Sequence, residues 1–114
     1  GNWTSSSGQV TVFVDNCGNN LCATITDLAK PISEIDGKPK IDRKNPNESL
    51  KNRPIIGIQL LSNMMPTGKN SWSGSIYNPD DGKTYQGNIK LFKNKMVVSA
   101  CVLGVLCKKE TFFR

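Results

Sequence analysis

The sequence contains no histidine in its 114 residues. That absence removes Ser-His and Cys-His nucleophilic pairs and every imidazole-ligated metal site, because each needs an imidazole that titrates or coordinates near neutral pH. Aromatic residues are scarce, at 7%. No apolar run approaches the ~20 residues that a membrane-spanning helix requires. Charges of one sign never form a block. Lys and Arg number 15 against 9 Asp and Glu, a net +6, but they are scattered from Lys30 to Arg114. A single-stranded nucleic-acid groove interleaves a basic stripe with stacking aromatics. The scattered charges and rare rings argue against specific nucleic-acid binding. Catalysis is not expected: the acids Asp27, Glu34, Asp36 and Asp42 lie among Lys and Arg, where solvated ion pairs are the ordinary outcome. No cofactor is implied. The tract Asp80-Asp81-Gly82 lacks the spaced oxygen set of a calcium loop, so no metal site is expected either.

Cysteine is present in an even count of 4, at Cys17, Cys22, Cys101 and Cys107. Cys17 and Cys22 flank a turn-like Gly18-Asn19-Asn20-Leu21 tract. Cys101 and Cys107 flank Val102-Leu103-Gly104-Val105-Leu106. Local disulfides across two hairpins satisfy this spacing. A cross-link between the hairpins satisfies the count equally, and a four-thiolate zinc site is disfavoured by spacings longer than C-x2-C. Either disulfide scheme places the chain in an oxidising compartment.

Period-two alternation dominates. Val10, Val12 and Val14 share one face of a first long strand, and Ala23 and Ile25 continue it after the turn. The stretch Ala29–Arg53 interrupts the pattern with Pro31, Gly37, Pro39 and Pro46 and carries much of the basic charge. Within it, Asn45, Pro46 and Glu48 read as cap, first position and capping-box partner of a short helix over Pro46–Asn52. Strands resume over Ile55–Leu61, with a turn at Met64–Gly68. They continue over Ser71–Tyr77 and Thr84–Phe92, then end in a hairpin of Met96–Leu103 and Leu106–Phe113. Gly57, Gly74 and Gly87 fall inside these strands, where glycine marks bends. The sum is an all-β, single-domain chain (residues 1–114), an antiparallel up-and-down barrel of about eight strands with one long loop carrying a short helix.

Several segments together resemble the bacterial domain-of-unknown-function family 2147. They are Cys17…Leu21-Cys22, Asp42-x-x-Asn45-Pro46, Arg53-Pro54-x-x-Gly57, and Trp72-Ser73-Gly74-x-x-Tyr77-Asn78-Pro79-x-x-Gly82-Lys83-x-Tyr85. The closing Cys101 and Thr111-Phe112-Phe113-Arg114 also fit, with Phe113 near a position where that family has Trp. The resemblance implies a lipocalin-like fold and export to the periplasm or outside the cell after removal of a signal peptide. Gly1-Asn2-Trp3 further resembles the lipocalin G-x-W signature. In that fold the Trp closes one barrel end and an Arg of the last strand covers it. Trp3 and Arg114 are placed for those roles, and a guanidinium over an indole face is a favourable contact.

Function is then expected in the barrel mouth and the long loop. Trp72, Tyr77 and Tyr85 are candidate pocket residues, though strand aromatics are equally often cross-strand packing partners. Asp42, Asn45 and Arg53 are candidate recognition residues on a loop over the mouth, although Asp and Asn also serve routinely in turns and caps. The apolar strand faces suggest a small apolar ligand. They include Ile56, Ile58 and Leu60 with Ile76, Ile89, Leu91 and Val98. The alternative is an envelope interaction or structural module with a packed barrel, acting through the basic loop 38–53. Nothing in the sequence names a ligand, an oligomeric state or a partner.

Overall fold

The computed structural model describes residues 1–102 and 106–114. Eight antiparallel strands close into a barrel in sequence order: β1 (Asn2–Ser5), β2 (Val10–Cys17), β3 (Asn20–Leu28), β4 (Gln59–Gly68), β5 (Ser71–Asn78), β6 (Lys83–Leu91), β7 (Lys95–Val102) and β8 (Leu106–Phe113). Closure comes through β1, which pairs with β2 on one side and β8 on the other. A closed sheet leaves no edge for another chain to pair with.

Alternation decides which side chains enter the barrel. Val12, Ala23, Ile25, Leu61, Met64, Ile89, Met96 and Phe112 are buried together in one cluster, with Trp3 beneath them. Burying a large apolar side chain fully stabilises by about 1.5–3 kcal/mol, so this cluster is the main source of stability. The expected hairpin between β2 and β3 forms around Gly18, whose φ of 66° suits glycine. Both disulfides are local, Cys17–Cys22 and Cys101–Cys107. The turn expected at Val102–Leu106 has its centre, residues 103–105, outside the described residues, as does Leu103, the expected last residue of β7.

Three sequence expectations are corrected. The helix expected over Pro46–Asn52 is a single 3-10 turn, Glu48–Leu50, capped by Asn47, whose side chain accepts from the Ser49 amide. Asn45 does not cap it: its Oδ1 accepts from the Asn47 amide, ahead of the turn, and its Nδ2 donates to Asp42. Next, the strand expected at Ile55–Leu61 begins only at Gln59. Gly57, at φ 106°, breaks the extended run, and its amide donates to the Ile25 carbonyl. Ile58 is buried but Ile56 points to solvent, so Ile56 leaves the predicted inner face. Finally, Met64–Gly68 is strand rather than turn; the chain reverses at Lys69-Asn70, where Asn70 takes φ 60°. Pro66 is tolerated within β4 because the pairing register shifts on both sides of it. Met64 is fully buried while Met65 is exposed.

The β1–β2, β3–β4 and β5–β6 connections lie at one end of the barrel, the mouth. The β2–β3, β4–β5 and β6–β7 connections and both termini lie at the floor. The long β3–β4 excursion therefore stands over the mouth.

Candidate functional site

A chamber of about 680 Å³ opens at the mouth. Val10, Ile25, Leu28, Ile76, Val98 and Phe112 supply its apolar wall. The directly opposed pair Gly74 and Gly87 does not create this space. A side chain on Gly74 would collide with the Asn63–Met64 backbone, and one on Gly87 with Ile76 and the Ser99 carbonyl. Those glycines permit close packing below the chamber.

The excursion is fixed over the mouth by one buried carboxylate. Asp42 has no exposed surface. Its Oδ2 accepts from Asn45 Nδ2 at 2.9 Å and from Arg53 Nε at 3.0 Å. Its Oδ1 accepts from the Tyr77 hydroxyl at 2.7 Å, which joins the loop to β5. The Arg53 guanidinium also lies 5.5 Å from the Tyr77 ring centroid. Burial alone would raise the Asp42 pKa, but the hydrogen bonds from Asn45, Tyr77 and Arg53 outweigh it and hold the carboxyl below its ordinary value. Tyr77 is pushed up, first by burial and then by its bond to Asp42. A second fixing point is Gly82, at φ 71°, where the Lys44 carbonyl fills the place a side chain would occupy.

The structure thus brings Asp42, Asn45, Arg53 and Tyr77 into one latch. Tyr77 and Tyr85 line the chamber; Asp42, Asn45 and Arg53 do not. Trp72 stands apart from all of them. It lies across from Ile89 toward the floor, beside Phe92 and Lys95. Tyr85 donates its hydroxyl to Asp81 of the β5–β6 turn, which raises the phenol pKa. At the floor, the Arg114 guanidinium lies 4.8 Å from the Trp3 ring centroid and donates twice to the Lys93 carbonyl.

Sequence reading missed Lys108 and Glu110. Both line the chamber from β8, where they share a face with Phe112 and lie opposite Ala100 and Val98. Counting back by twos from Phe112 is the signal that finds them; the Lys108-Lys109-Glu110 tract hides it by looking uniformly solvated. Burial, and then the Asp80 carboxylate, raise the Glu110 pKa. A raised folded pKa means that stability present below the unfolded value is lost as pH rises through the folded one. Glu110→Gln is therefore expected to raise the melting temperature at pH 7, with the gain vanishing toward pH 4. A thermal-melt series over pH checks it; a lower melting temperature at pH 7 contradicts the charge cost.

Chemically the chamber is an apolar space with two carboxyls on its wall, Asp80 and Glu110, and cations around its rim: Lys30, Lys40, Arg43 and Lys44 from the excursion and Lys108 and Lys109 from β8. Among the described residues no cluster of three or more potential ligands could hold a metal ion. Nor, among the described residues, is any helix long and apolar enough to cross a membrane.

A solved structure described as protein HP1028 from the human pathogen Helicobacter pylori, belonging to the lipocalin family, is similar to this one. The TM-score is 0.81 at 25% identity, covering 100% of this chain and 80% of that chain. The present barrel is accordingly lipocalin-like. No curated protein matches the chain. The family model for an uncharacterized protein conserved in bacteria, DUF2147, matches residues 1–114, and the chain belongs to that family.

Proposed function

We propose that this protein is an exported binding protein, periplasmic or secreted, that holds a small apolar ligand in the barrel mouth. One observation carries the reading: a largely apolar chamber of about 680 Å³ at the mouth of a closed barrel. Ligand pockets typically fall in the range of roughly 300–1,000 Å³ and combine apolar walls with a few placed polar groups. Here the wall is apolar, and Tyr77, Tyr85, Lys108 and Glu110 are among the polar groups available to orient a guest. Burial of apolar area supplies affinity; a hydrogen bond to one of these groups supplies selectivity. A lipocalin-like relative supports small-molecule binding by analogy of fold. The two disulfides support an oxidising compartment. A packed barrel working only through loop 38–53 is the weaker reading, because the interior is hollow at the mouth.

The test begins with protein purified from its own host, denatured and extracted into organic solvent. Mass spectrometry of the extract is expected to return a stoichiometric small molecule. A repeatedly empty extract, together with no response to a neutral fluorescent apolar probe, overturns the proposal.

A further inference from the structure

The excursion over the mouth carries a feature that ligand binding alone does not require. Pro31–Ser33 and Lys38–Lys40 form a small hairpin: Ile32 bridges Pro39, the Ser33 amide donates to the Lys38 carbonyl, and the Lys40 amide donates to the Pro31 carbonyl. Its tip places Ile35 in solvent at 83% exposure, with Ile32 at 48% beside it. A scattered exposed apolar residue is ordinary. A protruding isoleucine ringed by lysines on an otherwise rigid loop is less so.

The surrounding charges are not consumed within the protein. Arg43 pairs with Asp36, Lys51 with Glu48 and Arg53 with Asp42. Lys30, Lys38, Lys40 and Lys44 are exposed and make no ion pair among the described residues. Glu34 is the one acid in this stretch outside such a pair. The hairpin and its neighbour Lys44 therefore present an excess of cations around an apolar tip. Ile35, Lys30, Lys40 and Lys44 also line the mouth of the chamber, so tip, cations and opening belong to one surface.

From this juxtaposition we infer that the mouth face docks on an anionic lipid surface, with Ile35 and Ile32 entering the headgroup layer and the four lysines contacting lipid phosphates. Interfacial binding combines apolar insertion with attraction of basic residues to anionic headgroups. The Asp42 latch and the Lys44–Gly82 contact hold the hairpin in place, so little ordering is needed on docking. Docking would bring the chamber opening against the lipid. The inference goes beyond the binding proposal and stands whether or not the chamber holds a guest.

The experiment is vesicle flotation of the intact, disulfide-bonded protein with phosphatidylglycerol and phosphatidylcholine in a one-to-three ratio, against phosphatidylcholine alone. Binding is expected to the anionic vesicles only, and to be lost in high salt, since attraction between exposed charges is screened. The pair Lys38→Glu with Lys40→Glu is expected to lower affinity by roughly fivefold or more per lysine. Ile35→Ser is expected to lower it about tenfold. That residue is exposed, so the variant folds; circular dichroism of the barrel verifies this. The control pair Lys90→Glu with Lys93→Glu makes the same change of net charge near the floor and is expected to have little effect. Equal loss in the control pair, or no loss in Ile35→Ser, overturns the inference by reducing the effect to net charge. Binding of polyglutamate with the same Lys38 and Lys40 dependence but no anionic-vesicle binding assigns the lysines to an acidic protein and overturns it too. Failure of flotation with a ligand present in the organic extract leaves the binding proposal standing.

Discussion

Replacing Asp42 by Ala is expected to cost about 3 kcal/mol of stability and to free the excursion from the barrel mouth. Breaking a buried ion pair by removing one partner typically costs 3–5 kcal/mol, because the groups left behind lose their compensation. Here the groups are Arg53, Asn45 and the Tyr77 hydroxyl, all of which donate to that one carboxylate. Arg53 is 35% exposed, so water recovers part of its loss, which sets the lower end of that range. In a domain this size the change corresponds to a fall in melting temperature on the order of 10 °C. Hydrogen exchange in loop 29–54 is expected to rise more than in β6 and β7. Unaltered exchange there would contradict the latch. Tyr77→Phe, which removes only the hydroxyl, is expected to give a smaller loss of about 1 kcal/mol.

The same latch predicts a pH window. The folded pKa of Asp42 lies below its unfolded value, so its stability is present above the unfolded value of 3.8 and disappears as pH falls through the lower folded one. Tyr77 is shifted the other way. Its folded pKa lies above the unfolded 10.0, so its contribution is complete below that pH and is lost as pH rises through the folded value. Loop 29–54 is expected to be released at both extremes while the disulfide-bonded barrel persists further. Exchange measured across the pH range, read separately for loop and strands, checks this.

The second large effect is at the opposite end. Trp3→Ala is expected to destabilise the barrel by about 3–5 kcal/mol, the usual result of deleting a large core aromatic. Trp3 is 3% exposed beneath the core cluster. The loss includes its contact with the Arg114 guanidinium, worth about 1 kcal/mol where partly shielded. Arg114→Ala is expected to show roughly that smaller amount. A thermal melt unchanged in Trp3→Ala would remove Trp3 from the floor's support. Floor and latch are far apart and share no partner, so the two losses are expected to add.

Much of the barrel is legible in the chain because period-two patterning is a local signal. Val10, Val12 and Val14 announce an inner face, and Asn78-Pro79-Asp80-Asp81-Gly82 announces a reversal. Where local rules compete, the reading fails for identifiable reasons. Ile55–Leu61 looks like one strand until Gly57 takes a positive φ and donates its amide to the Ile25 carbonyl. Asn45 reads as the cap of Pro46–Asn52, yet Asn47 caps the 3-10 turn, while Asn45 accepts from the Asn47 amide and donates to Asp42. The candidate residues divide for a similar reason. Asp42, Asn45, Arg53 and Tyr77 look like separate recognition groups along the chain, yet a bond spanning 35 residues makes them one latch.

Strand order, the count of eight and the disulfide-compatible hairpins follow from sequence alone, because nearest-neighbour pairing in a meander needs only turns and alternation. Register shifts, the seat of the excursion and the chamber beneath it belong to the tertiary structure. They depend on closure of β1 against β8 and on contacts between residues far apart in the chain. Closure is what sets Lys108 and Glu110 at the chamber, and burial of Asp42 against Tyr77 is what holds the lysines and Ile35 at the mouth.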